Sequence, residues 1–381
     1  MIHPKVLIVV GTRPDSIKMA PLFQKLKGNS NFETFLCSSG QHLELLKQAL
    51  DIFDIVPDFE LKVMTENQSL TELTMKIIDK FSKLCDELKP DLIMVHGDTT
   101  TAFASALTAY YKNIPVAHIE AGLRTQDIFD PFPEEFNRQA IARISKWNFV
   151  PTETARTNLL NEGINPNTIY LTGNTIVDSV NLIKNKIECE HIFEEKLLDQ
   201  SKSILNFDPK FKKFILVTMH RRESFGEGVI NVCNSLKEIA QAHPDLTIVF
   251  SVHLNPKVRN DVINLLDKHK NIILSNPIPY NLFIYLMIKS LFLITDSGGI
   301  QEEAVTLGKK VLVTRNKTER VEGVENGILT VISTNPKDIV FSVTELLNLK
   351  SESKNSVTNT FGSGDISSKI IEHLESELKL S

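Results

Sequence analysis

The sequence has only four cysteines, and they lie far apart in the chain. They are Cys37, Cys85, Cys189 and Cys233, and no two of them are spaced as a pair of metal ligands. We therefore expect reduced and mostly buried thiols, in a cytoplasmic protein that has no metal site.

Long apolar runs and an excess of one charge are missing as well. No segment has the roughly 18 consecutive apolar residues that a membrane helix needs, and segment 285–295 is interrupted by Lys289. A formal net charge of -5 provides no basic surface for nucleic acid or for an anionic membrane. These absences favour a protein with neither a nucleic-acid partner nor a membrane partner.

What is present is the composition of an ordinary globular protein, with 42% hydrophobic and 23% charged residues. A chain of 381 residues is long enough for two domains. Short apolar runs such as KVLIVV (5–10) alternate with helix-like segments such as the amphipathic segment 70–88. The alternation predicts an α/β protein with two doubly wound, Rossmann-like domains, residues 1–174 and residues 175–364.

One stretch does not follow this alternation. Segment 185–210 is rich in charged residues and has no strand pattern. We therefore predict that it is a connection on the surface of the second domain.

Acidic residues follow one of the predicted strands. Residues 115–119 have the length and composition of a buried strand; Glu120 comes directly after it, and Glu134 and Glu135 open the next predicted helix. Ligands of open α/β sheets bind beyond the carboxyl ends of the strands, so Glu120 is expected to point into a crevice. The alternative is that Glu120 caps a turn and that the other two glutamates only complement a helix dipole.

Two further titratable residues follow predicted strands. They are Asp98 in the motif HGDTTT and His220 in the motif HRRESFGEG. With Glu120 and Glu134 they form a set of four titratable groups that converge on one cleft, as acid–base chemistry on a sugar ring requires. Asp98 is alternatively a helix cap, and the charged residues after His220 are alternatively a surface ion network.

The segment GTRPDSIK, residues 11–18, is a candidate for binding phosphate. It lies between a predicted strand and a predicted helix, where Arg13 and Lys18 are within reach of an anion. It is neither a GxGxxG motif nor a P-loop. A plain strand-to-helix turn with a solvated arginine is the alternative.

The segment DSGGIQEEA is the strongest single signal for a nucleotide. Ser297, Gly298 and Gly299 open a predicted helix, whose N-terminus attracts phosphate, and Glu303 lies further along as a candidate for the ribose hydroxyls. The alternative is a serine helix cap followed by acidic residues that complement the helix dipole.

Together these motifs resemble those of the non-hydrolysing UDP-N-acetylglucosamine 2-epimerases. The matching motifs run in order from Gly11 to Arg320 and include GTRPDSIKMAPL, HGDTTT, HIEAGLRT, PEEFNR, TGNTIVD, HRRESFG and DSGGIQEEA. The resemblance implies the GT-B fold, with the active site in the cleft between two Rossmann-like domains, and a homodimer. It also implies that the C-terminal helix, residues 365–381, packs back on the first domain.

The resemblance further implies reversible C2 epimerisation of UDP-N-acetylglucosamine (UDP-GlcNAc) to UDP-N-acetylmannosamine (UDP-ManNAc), a nucleotide sugar for polysaccharide synthesis. UDP is eliminated in an anti sense to give 2-acetamidoglucal and is then added back, without a cofactor. The implied catalytic residues are Asp98, Glu120, Glu134 and His220. The implied substrate-binding residues are Arg13, Lys18, Ser297, Gly298, Gly299 and Glu303.

The chain departs from the family pattern in several places. It has GTRPDS where GTRPEA is usual, and ERVE where ERPE is usual. Regulated bacterial members bind a second UDP-GlcNAc beside the active site. Of that allosteric pocket the chain keeps Gln41, Arg221 and His253, but it has Leu43 and Asn67 where arginines are common.

Three other functions fit parts of the pattern. A hydrolysing epimerase would release free ManNAc and UDP, but that branch carries GDR where this chain has HGDTTT. A GT-B glycosyltransferase would bind the same UDP-sugar, but it would leave Glu120 and Glu134 without a clear task. A nucleotide-sugar sensor would bind UDP-GlcNAc without exchanging any proton.

Overall fold

The computed structural model describes residues 3–40, 43–65, 68–219, 226–315, 318, 320–349 and 360–378. The chain divides into two compact units. Unit 1 consists of Met1–Ser179 together with Phe361–Ser381, and unit 2 consists of Val180–Thr360. Each unit is described by itself below.

Unit 1 is built on a parallel sheet. Its strands are β1 (Lys5–Val10), β2 (Glu33–Ser38), β3 (Phe59–Glu60), β4 (Leu92–His96), β5 (Val116–Ile119), β6 (Trp147–Val150) and β7 (Ile169–Leu171). They form a seven-stranded sheet in the order β3-β2-β1-β4-β5-β6-β7. The helices between them are α1 (Arg13–Lys27), α2 (Leu43–Asp51), α3 (Leu70–Leu88), α4 (Thr100–Tyr111), α5 (Glu134–Ile144) and α6 (Glu153–Asn161), with a 3-10 turn at Pro166–Thr168.

Unit 2 repeats this plan after α7 (Ile176–Cys189), the helix in which the chain passes from one unit to the other. Its strands are β8 (Phe214–Thr218), β9 (Thr247–Ser251), β10 (Ile272–Ser275), β11 (Leu293–Thr295), β12 (Val311–Thr314) and β13 (Leu329–Ile332). They form a six-stranded parallel sheet in the order β10-β9-β8-β11-β12-β13. The helices are α8 (His191–Leu205), α9 (Glu227–Ala242), α10 (Pro256–Leu266), α11 (Tyr280–Lys289), α12 (Gly298–Thr306), α13 (Val321–Glu325) and α14 (Pro336–Asn348).

The apolar runs of the sequence become strands because helices cover both faces of a parallel sheet. Val6 to Val10 of β1 are all buried, and the strand pairs with β2 on one side and β4 on the other. The predicted helix 70–88 is α3, whose Ile77, Phe81 and Leu84 pack into the core of unit 1. Ser69 and Glu72 form a capping box that fixes its start. The predicted α/β class with two doubly wound sheets is therefore confirmed.

The prediction of a surface connection over 185–210 is wrong. This segment contains the last turn of α7 and the whole of α8. Leu197, Ser201 and Leu205 of α8 are buried, and their spacing of four residues places them on one face of the helix. The face is narrow, and the charged residues around it conceal its pattern in the sequence.

The last helix, α15 (Ile366–Glu377), belongs to unit 1. The Asp178 carboxylate accepts hydrogen bonds from the backbone N–H of Ile366 at 3.1 Å and of Ser367 at 2.7 Å. A carboxylate at this position satisfies the free N–H groups of the first helical turn and complements the dipole. Among the described residues, no helix is both long enough and apolar enough to cross a membrane.

Candidate active site

The strand order of each sheet reverses direction at one place, and several of the predicted site residues follow the strands that flank it. In unit 1 the reversal lies between β1 and β4, and in unit 2 it lies between β8 and β11. Such switch points are where open α/β sheets bind ligands. Lys18 lies in the helix after β1, Asp98 follows β4, and Ser297 follows β11.

Glu120 leaves β5 with an unusual backbone. Its φ is 63°, in the left-handed region that non-glycine residues rarely adopt outside functional sites and tight turns. Gly122, two residues later, has a φ of 86°, and a Cβ there would lie 2.3 Å from the carbonyl oxygen of Ala155. The chain therefore needs a glycine at 122 to turn beside α6 immediately after Glu120.

The Glu120 carboxylate is almost enclosed, and three side chains contact its Oε2 atom. The Lys18 ammonium forms an ion pair with it, with side chains 8% and 9% exposed. Asn174 Nδ2 donates a hydrogen bond to the same oxygen at 2.7 Å, and His96 Nε2 lies 3.7 Å away. Lys18, which the sequence predicts as a phosphate ligand, therefore also serves as the counter-ion of Glu120.

His96 is not a second cation in this group. Burial lowers the pKa of His96 to about 4, against a smaller opposing effect of the Glu120 charge. The imidazole is neutral at pH 7, so Lys18 is the group that balances the charge of Glu120.

Asp98 has its own cationic partner. Arg138 NH2 lies 2.6 Å from Asp98 Oδ2, and Asn137 Nδ2 donates to the Asp98 carbonyl at 2.8 Å. Loss of hydration raises the pKa of Asp98, Arg138 acts in the opposite direction, and the charge of Glu120 raises the pKa again. Two carboxylates at the ends of the adjacent strands β4 and β5 therefore feel each other's charge.

The structure distinguishes the two glutamates that open α5. Glu135 is fully buried; it accepts from Thr125 N at 3.1 Å and from Gln139 Nε2 at 2.9 Å, and it lies 3.5 Å from Arg138 NH1. Glu134 is only partly buried. Glu134 is thus the glutamate that a ligand can reach, whereas Glu135 holds the loop before α5 and supports Arg138.

His118 lies in β5 and contacts the residue that precedes Asp98. Its Nε2 lies 2.7 Å from the Gly97 carbonyl oxygen, so Nε2 must carry a proton. Burial lowers the pKa of His118 to about 3, which keeps the ring neutral and fixes this tautomer.

Sequence reasoning did not single out His96, His118, Arg138 or Asn174. All four lie inside the motifs named above: His96 in HGDTTT, His118 in HIEAGLRT, Arg138 in PEEFNR and Asn174 in TGNTIVD. Arg138 follows Glu134 by four residues, a spacing that places both on one side of a helix. This spacing is the signal from which Arg138 could have been predicted.

In unit 2, the turn from β11 into α12 is held by hydroxyl groups. Ser297 N donates to Thr295 Oγ1 at 3.1 Å, and Thr295 Oγ1 lies 2.7 Å from Thr218 Oγ1. Within the described chain, the Ser297 side chain does not cap α12, so the alternative interpretation of Ser297 as a side-chain cap does not apply. Glu303 is buried further along α12.

The two glycines after Ser297 have different surroundings. A Cβ on Gly298 would lie 2.9 Å from Cζ of Arg320, whereas a Cβ on Gly299 would meet no described atom within 4 Å. Arg320 Nε and NH2 donate to Glu302 Oε1 at 3.0 and 2.7 Å. Gly298 therefore makes room for this ion pair, while packing in unit 2 places no such demand on Gly299.

The remaining predicted residues have less structural detail. Arg13 is the first residue of α1, and His253 accepts at Nδ1 from Asn255 N at 3.0 Å. His220, Gln41, Arg221 and Asn67 lie outside the described residues.

Carboxylates with separate cationic partners, at and beside the switch point of a Rossmann-like sheet, define an enzyme site suited to acid–base chemistry. The sequence profile described as UDP-N-acetylglucosamine 2-epimerase matches residues 24–375. The chain therefore belongs to the UDP-N-acetylglucosamine 2-epimerase family, as the motifs predicted.

Individual relatives agree with this assignment. The chain is 45% identical over 369 residues to UDP-N-acetylglucosamine 2-epimerase of Campylobacter jejuni, covering 96% of each chain. It is 44% identical over 373 residues to the Escherichia coli K12 enzyme, covering 97% of this chain and 98% of that one. The crystal structure of the Neisseria meningitidis UDP-GlcNAc 2-epimerase bound to UDP-GlcNAc superposes with a TM-score of 0.90 and 41% identity, covering 98% of this chain and 100% of that one. The predicted GT-B fold is thereby confirmed.

Proposed function

We propose that this protein is a non-hydrolysing epimerase that interconverts UDP-GlcNAc and UDP-ManNAc. The observation that carries the proposal is the placement of Asp98 and Glu120 at the ends of adjacent parallel strands, each beside a separate cation. Family membership and the substrate bound in the Neisseria meningitidis structure support UDP-GlcNAc as the substrate.

The proposed reaction breaks and remakes two bonds of the sugar. A carboxylate removes the proton from C2 while the C1–O bond to UDP breaks, which gives 2-acetamidoglucal and UDP. Return of a proton to the other face of C2 and of UDP to C1 gives the epimer. Because the C2 proton is barely acidic, departure of UDP runs ahead, and nearby carboxylates stabilise the positive charge that develops at C1.

Asp98, Glu120 and Glu134 are the proposed acid–base and charge-stabilising groups. Lys18 and Asn174 both donate to Glu120 Oε2, and such donors favour the ionised carboxylate. Asp98, whose pKa is raised by lost hydration, takes up a proton more readily. The two carboxylates are therefore suited to different halves of the proton exchange.

The leaving diphosphate and the nucleoside need their own ligands. We assign the diphosphate to Arg13, His220 and the N-terminus of α12, where backbone N–H groups attract anions. A Cβ on Gly299 would meet no described atom within 4 Å, and close approach of a phosphate to the backbone requires such space. Glu303 of the same helix is assigned to the ribose hydroxyls.

The family resemblance adds three further parts to the proposal. They are a homodimeric assembly, a cytoplasmic location and the supply of nucleotide sugar for polysaccharide synthesis. The motif HGDTTT, which the hydrolysing branch replaces with GDR, supports retention of UDP over release of free sugar.

The reaction is tested with UDP-GlcNAc in D2O, followed by proton NMR. We expect deuterium at C2 of both UDP-GlcNAc and UDP-ManNAc, because only reversible chemistry at C2 exchanges that proton. Glu120→Gln should retain UDP binding and lose most of the turnover; near-normal turnover would remove Glu120 from the mechanism.

Other outcomes would contradict the proposal. Free ManNAc and UDP as the main products would identify a hydrolysing epimerase. Transfer of the sugar without deuterium at C2 would identify a glycosyltransferase, and binding without any exchange would identify a nucleotide-sugar sensor.

A further inference from the structure

Asn174 lies in the turn between β7 and α7, and its buried side chain uses both ends of the amide. Its Oδ1 accepts from Ile176 N at 3.1 Å, and its Nδ2 donates to Glu120 Oε2 at 2.7 Å. Because the Ile176 N–H is a donor only, Oδ1 must face it, and the NH2 group must therefore face Glu120. The orientation of the amide is thus fixed by the backbone of unit 1.

The backbone of Asn174 is held in turn by the C-terminal part of the chain. Asn174 N donates to the carbonyl oxygen of Phe361 at 2.7 Å. Gly173 has a φ of 100°, and a Cβ there would lie 2.7 Å from that oxygen and 2.9 Å from Cγ1 of Ile366. A glycine at 173 therefore lets the segment 361–367 approach the Asn174 turn.

The segment 361–367 is itself fixed to unit 1 at a second place. Asp178, one turn of chain beyond Asn174, accepts from the backbone N–H groups of Ile366 and Ser367. At the other end of α15, Asn29 and Asn31 both donate to Glu375, at 2.8 and 2.9 Å. The two Asp178 contacts hold the Phe361 carbonyl where Asn174 N meets it, whereas the Glu375 contacts lie at the far end of α15.

The Glu120 side chain needs contacts that fix its direction. Its backbone has left the extended conformation of β5 and no longer fixes that direction as a regular strand would. A non-glycine residue at a φ of 63° carries strain of about 1–3 kcal/mol that surrounding contacts must offset. Lys18 supplies charge, but a lysine ammonium lies on a flexible stem and imposes little geometry. The Asn174 amide, in a turn with fixed backbone, is the contact that gives the carboxylate a direction.

We propose that Asn174 is a positioning residue that sets the orientation of the Glu120 carboxylate, and that segment 361–367 sets the place of Asn174. The proposal deepens the proposed function, since it depends on Glu120 acting in proton exchange. It makes the C-terminal segment part of the machinery that prepares Glu120 for the reaction.

The first test compares Asn174→Ala and Asn174→Asp with Asn31→Ala. Asn31→Ala is the control. It removes a side-chain amide that donates a hydrogen bond of similar length to a glutamate, but this glutamate is Glu375 of α15 and not Glu120. We expect kcat of Asn174→Ala to fall about 10- to 100-fold with little change in KM, since misplacing a reacting group by about 1 Å costs this much. Asn31→Ala should keep the wild-type kcat.

The pH profile separates positioning from folding. Asn174→Asp has the same shape and can still accept from Ile176 N, but it places a second carboxylate against Glu120. Two carboxylates in contact share a proton, so the acidic limb of kcat/KM should move to higher pH. A purely structural role of Asn174 would lower the melting temperature and leave this limb in place, so an unmoved limb with kcat within twofold of wild type overturns the proposal.

The second test examines the C-terminal segment with Gly173→Ala and Gly163→Ala. Both glycines have positive φ, 100° and 75°, but a Cβ on Gly163 meets no described atom within 4 Å. Both variants therefore carry backbone strain, and only Gly173→Ala pushes against Phe361. We expect kcat to fall in Gly173→Ala alone; equal kcat in the two variants would overturn the role of the segment.

A crystal structure of Asn174→Ala distinguishes failure of this inference from failure of the proposed function. If wild-type protein does not turn over UDP-GlcNAc, the proposed function is wrong, and the position of the Glu120 carboxylate still decides the inference. A carboxylate displaced from its wild-type place supports positioning by Asn174. A carboxylate that stays in place in that variant overturns it.

Discussion

Asp98 and Arg138 form an ion pair, with 2.6 Å between Oδ2 and NH2. Asp98 follows β4 and Arg138 lies in α5, so the pair joins two separate elements at the edge of the sheet. The next residue of α5 towards the N-terminus, Asn137, binds the Asp98 carbonyl. One helix therefore fixes both the backbone and the charge of Asp98.

Replacing Arg138 by glutamine should change the protonation of Asp98. Arg138 lowers the pKa of Asp98 against the effect of lost hydration, so its removal raises that pKa. The limb of the kcat/KM profile that reports Asp98 should therefore move to higher pH. Arg143→Gln is the control, because Arg143 lies on the same helix and donates to the Glu162 carbonyl. An unmoved limb in folded Arg138→Gln would show that this limb does not report the titration of Asp98.

Glu134→Gln and Glu135→Gln should have opposite effects. Glu134 is only partly buried and is a proposed acid–base group, so its variant should lose most of the turnover and should lower the unfolding temperature less than Glu135→Gln does. Glu135 is buried with the Thr125 N–H, Gln139 and Arg138 around it. Its variant should lose about 1–3 kcal/mol of the free energy of unfolding, because a buried charge-assisted network loses an acceptor. Thermal unfolding and turnover, measured on both variants, check the assignment, and the reverse pattern would make Glu135 the catalytic glutamate.

The glycines of α12 offer a matched pair. Gly298→Ala places a Cβ 2.9 Å from Arg320 Cζ, so the guanidinium must shift relative to the buried Glu302 carboxylate that it binds, and weakening such a buried pair should cost about 1–3 kcal/mol. Gly299→Ala meets no described atom within 4 Å and should keep the stability of the wild type. Chemical denaturation measures both, and equal stability would show that Arg320 moves aside without cost. Calorimetry with UDP should then show weaker binding to Gly299→Ala, since the new methyl group occupies the space assigned to phosphate.

His118 should make the wild-type protein sensitive to acid. Burial lowers its pKa to about 3, so below pH 6.5 the unfolded chain takes up a proton that the folded protein refuses. His118 therefore leaves the free energy of unfolding unchanged above pH 6.5. Below pH 6.5 it lowers that free energy by about 1.4 kcal/mol per pH unit. His118→Gln keeps a donor for Gly97 and should lack the His118 part of this loss while keeping the part caused by His96, whose pKa is also lowered by burial; His191→Gln, on the exposed surface of α8, should retain both parts. Urea unfolding at about pH 7.5, 6 and 5 measures the free energy of unfolding of the wild type and of both variants. If the free energies of the wild type and of His118→Gln fall in parallel with pH, the prediction is wrong.

The fold was predictable where burial leaves a strong pattern. The strand β1 could be found from KVLIVV because a parallel strand is apolar on both faces, and α3 could be found from its wide apolar face. The helix α8 could not, since it buries Leu197, Ser201 and Leu205 within a segment of charged residues. A narrow buried face leaves too few apolar positions to stand out.

The site was predictable only in part for a related reason. Glu120 and Asp98 follow recognisable strands, so their position at the sheet edge can be deduced. Their partners depend on contacts between distant parts of the chain: Asn174 is 54 residues from Glu120 in sequence. Which amide or guanidinium reaches which carboxylate depends on strand order and on the backbone of Glu120, and neither is visible as a periodic pattern.

Unit 1 is discontinuous, since it contains Met1–Ser179 and Phe361–Ser381, and this has a consequence during synthesis. The ribosome synthesises all strands of the seven-stranded sheet before any residue of unit 2, and it synthesises Phe361 only after unit 2. Domains generally fold as they emerge from the N-terminus, so a nascent chain can close its first sheet with the Asn174 turn still lacking its last hydrogen bond. Segment 361–381, roughly one helix with its approach, therefore joins unit 1 after all the strands of that unit have been made.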